Sequence, residues 1–235
     1  MRYIGGKART ASRIADVIIG SGVERHTYIE PFLGAASVAC EMVPWYERSV
    51  PSDAHPDVVE LWRDVVDGWV PPCHLSHDRY DELRSSSEPS ALRAWAGFAA
   101  SYNGKWFGGY GPVAESAGRD YLAEAQRATL CKRRNLTGAT IRHSDYLDIV
   151  PEPKATVYCD PPYADAMSYA GTSFKFDVDQ FWSTMALWVD NGARVFVSEF
   201  DAPKGWESIW STERQATVHH AYSTTPRPEH LWTRD

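Results

Sequence analysis

The chain has no closely spaced cysteine pair. Its four cysteines, Cys40, Cys73, Cys131 and Cys159, are scattered along it. That argues against a zinc site or a disulfide framework, so no metal is expected and a reducing, cytoplasmic setting is. No apolar run approaches the length of a membrane span, and the opening MRYIGGKART lacks the apolar core of a signal peptide. No membrane partner is therefore expected. Positive charge is also short: 24 Lys and Arg stand against 31 Asp and Glu, a net charge of −7. Such an acidic balance is awkward for a nucleic-acid partner, because phosphate binding draws on lysine and arginine. Local clustering can rescue it, in Lys132-Arg133-Arg134 with Arg142 and in Arg2, Lys7, Arg9 and Arg13, while acidic residues gather across Asp53–Asp67. A basic run is as readily a solvated face as a phosphate contact. No internal repeat is present.

With 235 residues, 43% of them hydrophobic and 23% charged, the chain can bury one full core with room for an extra lobe. Ala11, Ile14, Ala15 and Ile18 recur at helical spacing and predict a first helix. Tyr28-Ile29-Glu30 predicts a short strand, broken at Pro31-Phe32-Leu33-Gly34, with a small-residue helix resuming over Ala35–Ala39. A second strand over Arg48–Val50 ends at Asp53, and Pro56 suits the first position of a helix carrying Val58, Leu61, Trp62 and Val65. Residues 68–138 change character, with a short helix around Leu92, Trp95 and Ala99 before the glycine- and aromatic-rich loop Tyr102–Gly111. Then come strands near Thr140–Arg142 and Ala155–Cys159, a helix with Phe181, Met185, Trp188 and Val189 stopped by Gly192, and a strand Arg194–Val197. Thr217–His220 and His230–Arg234 are expected to form a closing antiparallel pair. The alternation predicts an α/β fold: a mostly parallel sheet with an antiparallel C-terminal strand, ligands at the carboxyl ends of the strands, and 68–138 as an insertion or cap.

Asp160-Pro161-Pro162-Tyr163, directly behind the Ala155–Cys159 strand, is the most informative segment. It places an acidic acceptor, an unpaired carbonyl and a flat ring on a rim whose prolines fix φ and donate nothing. Methylation of an exocyclic amino group of a nucleobase needs that trio. The Asp160 carboxylate and the Pro161 carbonyl can each accept one N–H, pulling a weakly nucleophilic nitrogen toward tetrahedral geometry, and Tyr163 can stack on the base. The bland alternative is an Asp-Pro turn capping a strand. Gly34 stands in a tight strand-to-helix turn where a cofactor can approach the backbone. Asp53 ends the next strand, where a carboxylate can hold two ribose hydroxyls or simply cap a helix.

In register, four pieces resemble the DNA adenine methylases (Dam type), the α-group of amino methyltransferases: Tyr3-Ile4-Gly5-Gly6-Lys7, Glu30–Val38, Ser52–Pro56 and Asp160–Tyr163. Weaker echoes are Tyr102-Asn103-Gly104, Ser144-Asp145-Tyr146 and Phe196-Val197-Ser198. The resemblance implies a Rossmann-like methyltransferase fold that takes S-adenosyl-L-methionine and leaves S-adenosyl-L-homocysteine. It places Tyr3, Ile4, Lys7, Glu30, Phe32, Gly34, Asp53, Asp145, Tyr146 and Asp160 at the cofactor, with Asp160, Pro161, Pro162 and Tyr163 holding the target base. Residues 1–62 and 139–235 would form the catalytic domain and 63–138 the inserted DNA-recognition lobe. Tyr102, Asn103, Lys105, Lys132, Arg133 and Arg134 would meet nucleic acid. The implied activity is N6 methylation of adenine in double-stranded DNA by a monomer that flips its target base, in a setting such as restriction–modification. Phe174 would belong to a closing loop or to the core. Three features depart from the pattern: Ala36 stands where a second glycine is usual, Tyr3 replaces the commoner tryptophan, and the recognition segment is short. Cytosine N4, an RNA substrate and a non-catalytic binding module remain as alternatives.

Overall fold

The computed structural model describes Tyr3 and residues 5–111, 113–114, 118–162, 176–213 and 228–234. Helix α1 (Ala11–Gly20) forms where the sequence places it, burying Ala11, Ile14, Ala15 and Ile18 on one stripe. Strand β1 (Thr27–Glu30) follows and is buried throughout. The helix expected from Ala35 starts later, at α2 (Ala39–Met42). Gly34 and Ala36 have φ of 43° and 52°, and a chain in the left-handed region cannot be propagating a right-handed helix. Strand β2 (Arg48–Asp53) leads into α3 (Pro56–Asp67), with Pro56 in its first turn. Gly68 at φ 118° stops α3, and Trp69 N–H bonds back to the Asp64 carbonyl at 2.7 Å.

Three helices follow in the middle segment. These are α4 (His77–Ser85), α5 (Ala91–Ala94), which runs on as a single π turn over Trp95–Ala99, and α6 (Tyr121–Leu136). The short strands β3 (Val113–Ala114) and β4 (Arg119–Asp120) pair antiparallel before α6. Strands β5 (Arg142–His143) and β6 (Thr156–Cys159), helix α7 (Val178–Asp190), and strands β7 (Arg194–Glu199), β8 (Glu207–Glu213) and β9 (Pro228–Thr233) complete the order. The sequence reading passes over α4, α6 and β8. Helix α6 buries only Leu122, Ala125, Thr129 and Leu136, too thin an apolar stripe to stand out. Strand β9 lies antiparallel between β7 and β8, while Thr217–His220, the expected partner, falls outside the described residues.

The seven-stranded sheet has the order β5-β2-β1-β6-β7-β9-β8. Its first five strands are mutually parallel and β9 runs against both neighbours. This is the Rossmann-like α/β architecture, with an antiparallel C-terminal strand. Neighbouring residues on a strand enter opposite cores. Tyr28, Tyr158 and Phe196 pack with α1, α2, α3 and the middle segment. Ile29, Val157, Val195 and Val197 pack with Phe181, Met185 and Trp188 of α7. The middle segment shares the first of these cores through Leu75, Tyr80, Trp95, Phe98 and Leu136, and α3 runs through position 62. From β1 the chain builds outward to β2 and β5, then returns to β6 on the other flank of β1. That reversal makes the carboxyl ends of β1 and β6 a topological switch point, where such a sheet leaves a crevice for a ligand.

Candidate active site

Both strands that flank the crevice end in a signature segment. After β1, Gly34 makes the turn that its sequence context predicts, for two separate reasons. Its φ of 43° disfavours any side chain, and a Cβ there would come within 3.1 Å of the Tyr3 ring. Ala36, standing where the resemblance expects glycine, adopts φ 52° and is fully buried. The position demands a left-handed residue, and alanine meets the demand under strain. The carbonyl of Gly34 accepts from Trp62 Nε1 at 2.8 Å. The N–H of Gly34 donates to Asp53 Oδ2, and the N–H of His55 donates to Asp53 Oδ1, both at 2.8 Å. Asp53 is 1% exposed and thus ties the β1 turn to the end of β2. Burial lifts its carboxyl to about 6 despite those two N–H bonds.

At the end of β6, Asp160 is half-buried, Pro161 buried and Pro162 half-buried. Tyr163 and Phe174 lie outside the described residues, as does Ile4. The opening segment joins the two strand ends. Tyr3 lies over Gly34 and contacts Phe98, ring centroids 4.7 Å apart, while Lys7 Nζ pairs closely with Asp160 Oδ1 and lies 3.0 Å from Glu229 Oε1. Lys7 and Glu229 are both buried. Carboxylates dominate this neighbourhood. Burial pushes Glu30 up to about 8 and Glu199 to about 7, with Asp160 adding repulsion in each case. Glu30 accepts the Tyr28 hydroxyl. An electron-poor or cationic guest suits such a site better than an anion does.

Other residues singled out in the sequence sit further from this junction. Phe32 is half-buried in an aromatic cluster with Tyr146, Phe176 and Phe181, at centroid distances of 5.5, 6.1 and 5.9 Å. Tyr146 is buried there and its hydroxyl is raised to about 12, chiefly by burial. Asp145 is half-buried and accepts the Leu147 N–H at 2.9 Å, capping a turn of 3-10 helix over Tyr146–Asp148. Tyr102, Asn103 and Lys105 are exposed on one loop, Tyr102 by 64%, with Asn103 at φ 54°. On α6, Arg134 is exposed and Arg133 half-buried, but Lys132 turns inward to Ala35 and Ser37. Glu199 and Glu229 were not singled out in the sequence. Glu199 directly follows the Phe196-Val197-Ser198 echo, and Glu229 had no local signal at all.

A groove of about 290 Å³ lined by Thr27, Ile29, Arg48, Val50 and Glu152 among others runs along β1 and β2. Neither Gly34 nor Asp160 lines it, so it is distinct from the crevice. Among the described residues no cluster of His, Cys, Asp and Glu is arranged to hold a metal ion, and no helix is long and apolar enough to cross a membrane.

Among solved structures, the chain is similar to magnesium protoporphyrin IX methyltransferase from Synechocystis, solved with bound S-adenosylmethionine. That match has 9% identity and a TM-score of 0.41, and covers 99% of this chain and 81% of that one. A ribosomal protein L11 methylase from Lactobacillus delbrueckii subsp. bulgaricus matches at 7% identity and a TM-score of 0.41, over 97% and 77% of the two chains. An rRNA methylase from Streptococcus thermophilus matches at 4% identity and a TM-score of 0.42, over 95% of each. No curated protein matches the chain significantly. Residues 3–93, which hold the Tyr3–Lys7 loop, the Gly34 turn and Asp53, match the D12 class N6 adenine-specific DNA methyltransferase family. Over those residues, fewer than half of the chain, it is similar to DNA adenine methyltransferases of the D12 class.

Proposed function

We propose that the protein transfers a methyl group from S-adenosyl-L-methionine to N6 of an adenine flipped out of double-stranded DNA. The observation that carries this reading is the opening loop, with Tyr3 against the Gly34 turn and Lys7 on Asp160, which makes one site of two strand ends. The residues present fit the cofactor. Gly34, having no side chain, lets the Tyr3 ring lie against its turn as a wall for the donor, and the two carboxylates of Asp160 and Glu229 around the single ammonium of Lys7 suit a sulfonium. The cofactor would supply an electrophilic methyl group and depart as S-adenosyl-L-homocysteine. Tyr3, Phe32 and Gly34 would line its methionine side, with Glu30 and Lys7 closing the same wall. Asp53, already accepting two N–H bonds, would use its remaining lone pairs for the ribose hydroxyls. Asp145 and Tyr146 would lie toward the adenine end.

In the transfer a nitrogen–carbon bond forms at N6 as the sulfur–carbon bond breaks, the electron pair of that bond leaves with sulfur, and one N6 proton passes by way of Asp160 to solvent water. Asp160 and the Pro161 carbonyl would each accept an N–H of the amine. Their acceptance holds the lone pair in line and stabilises the positive charge that grows on nitrogen. Tyr163 would stack on the base, returning ~1–3 kcal/mol of the few kcal/mol that flipping costs. Residues 63–138 would form the lobe that meets DNA, with Tyr102, Asn103, Lys105 and Arg134 on its exposed surface, and the protein would act as a monomer in the cytoplasm. Incubating purified protein with labelled cofactor and separate DNA and RNA substrates, followed by nucleoside analysis, tests the reading. N6-methyladenine in DNA is the expected product. N4-methylcytosine, label in RNA alone, or cofactor binding without transfer would each overturn it.

A further inference from the structure

Lys132 opens the basic run that the sequence offers to phosphate, yet its ammonium is spent inside the protein. Its Nζ donates to the Ala35 carbonyl at 2.7 Å and to Ser37 Oγ at 2.8 Å, and it lies 5.8 Å from the centroid of the Trp62 ring. Three residues further along α6, Asn135 Nδ2 donates to the Cys40 carbonyl at 3.0 Å. Trp62 Nε1 donates to the carbonyl of Gly34. Two successive carbonyls of the cofactor turn are thus held from behind by side chains of α3 and α6. The left-handed backbone at Gly34 and Ala36 needs that kind of support, because strained conformations persist only where their surroundings over-determine them.

We infer that Lys132 is a positioning residue for the turn that receives the methyl donor, carried there by a helix of the segment proposed to meet DNA. The inference rests on the reading of that turn as the cofactor cradle. Lysine suits this role because its compact ammonium sends separate donors to a carbonyl and a hydroxyl, which a planar guanidinium does not reproduce. It also divides the basic run by function, since Arg134 remains exposed on the same helix.

The decisive experiment compares wild type, Lys132→Met, Ser37→Ala and the double variant for S-adenosylmethionine affinity, DNA affinity and its salt dependence, and turnover at saturating cofactor. Lys132→Met keeps the aliphatic stem and should weaken cofactor binding about tenfold or more, the worth of hydrogen bonds to a charged donor. Turnover at saturating cofactor, DNA affinity and salt slope should hold. Ser37→Ala, a smaller change that leaves the fold intact, should weaken cofactor binding less, and the double variant should bind no worse than Lys132→Met. Unchanged cofactor affinity in both single variants overturns the inference. So does a loss of DNA affinity with the salt slope reduced by about one and cofactor binding intact, the signature of a phosphate contact. Wild-type protein that fails to bind the cofactor would instead overturn the reading of the turn, and the inference with it.

Discussion

Ala36 shows how a single residue balances opposed terms. Its left-handed backbone costs an L-residue ~1–2 kcal/mol. Against that, its buried methyl contributes ~0.8 kcal/mol, and replacing alanine by glycine loosens the unfolded chain by ~0.4–1 kcal/mol. These nearly cancel. Ala36→Gly should therefore change the unfolding free energy measured in denaturant by less than ~1 kcal/mol. A loss beyond ~2 kcal/mol would mean that the strain at φ 52° is not being released. At this scale the sequence was legible where local pattern speaks. Gly34, Asp53, Lys7 and Asp160 stand in recognisable motifs, and the structure brings Lys7 to Asp160 and Gly34 to Asp53, with the Tyr3 ring over Gly34. Lys132 was not, because its partners lie 97 and 95 positions away and nothing in Lys132-Arg133-Arg134 distinguishes an inward lysine from an outward one. The Lys7–Glu229 pair is hidden for the same reason.

Elements were readable in proportion to how one-sided they are. Helices α1, α3 and α7 each carry a clear apolar stripe and are found within a few residues of their expected places. Helix α4 is polar nearly throughout, burying only Tyr80 and Leu83, and owes its start to Ser76, whose side chain accepts the Arg79 N–H at 3.2 Å. The π turn over Trp95–Ala99 could not be foreseen from spacing. It presents Gly97 to the aromatic loop, where a Cβ would lie 2.3 Å from the Trp106 ring, and Trp106 in turn packs on Phe98 and His55. Gly97→Ala should destabilise the protein by ~1–3 kcal/mol through overpacking. Thermal unfolding checks this, and an unchanged midpoint would show that Trp106 has room to move.

For the whole molecule, the buried acids set a pH dependence. Glu30 is held at about 8 against an ordinary 4.5, first by burial and then by the charges of Asp160 and Asp53, while the Tyr28 hydroxyl opposes the shift. The folded state therefore binds this proton more tightly than the unfolded chain does. The stability it contributes is fully present below pH 4.5 and is lost as pH rises through about 8. Glu30→Gln keeps an acceptor for Tyr28 and removes the titration. Its unfolding free energy relative to wild type should rise steadily between about pH 5 and pH 8, and a difference that ignores pH would refute the assignment. That the sheet is mostly parallel followed from the alternation of strands and helices, and an antiparallel C-terminal strand from the pattern of the tail, whereas the order β5-β2-β1-β6-β7-β9-β8 did not. Nor could alternation reveal that the middle segment sends a helix back to the Gly34–Ser37 turn.

The central claim is that Asp160, at the end of β6, acts on an amine delivered beside a donor held at the Gly34 turn. The most direct measurement is transfer of labelled methyl to DNA by Asp160→Ala, with S-adenosylmethionine binding followed in the same preparation. The account predicts N6-methyladenine from wild type, none from the variant, and cofactor binding largely retained. Full methylation by Asp160→Ala would contradict it.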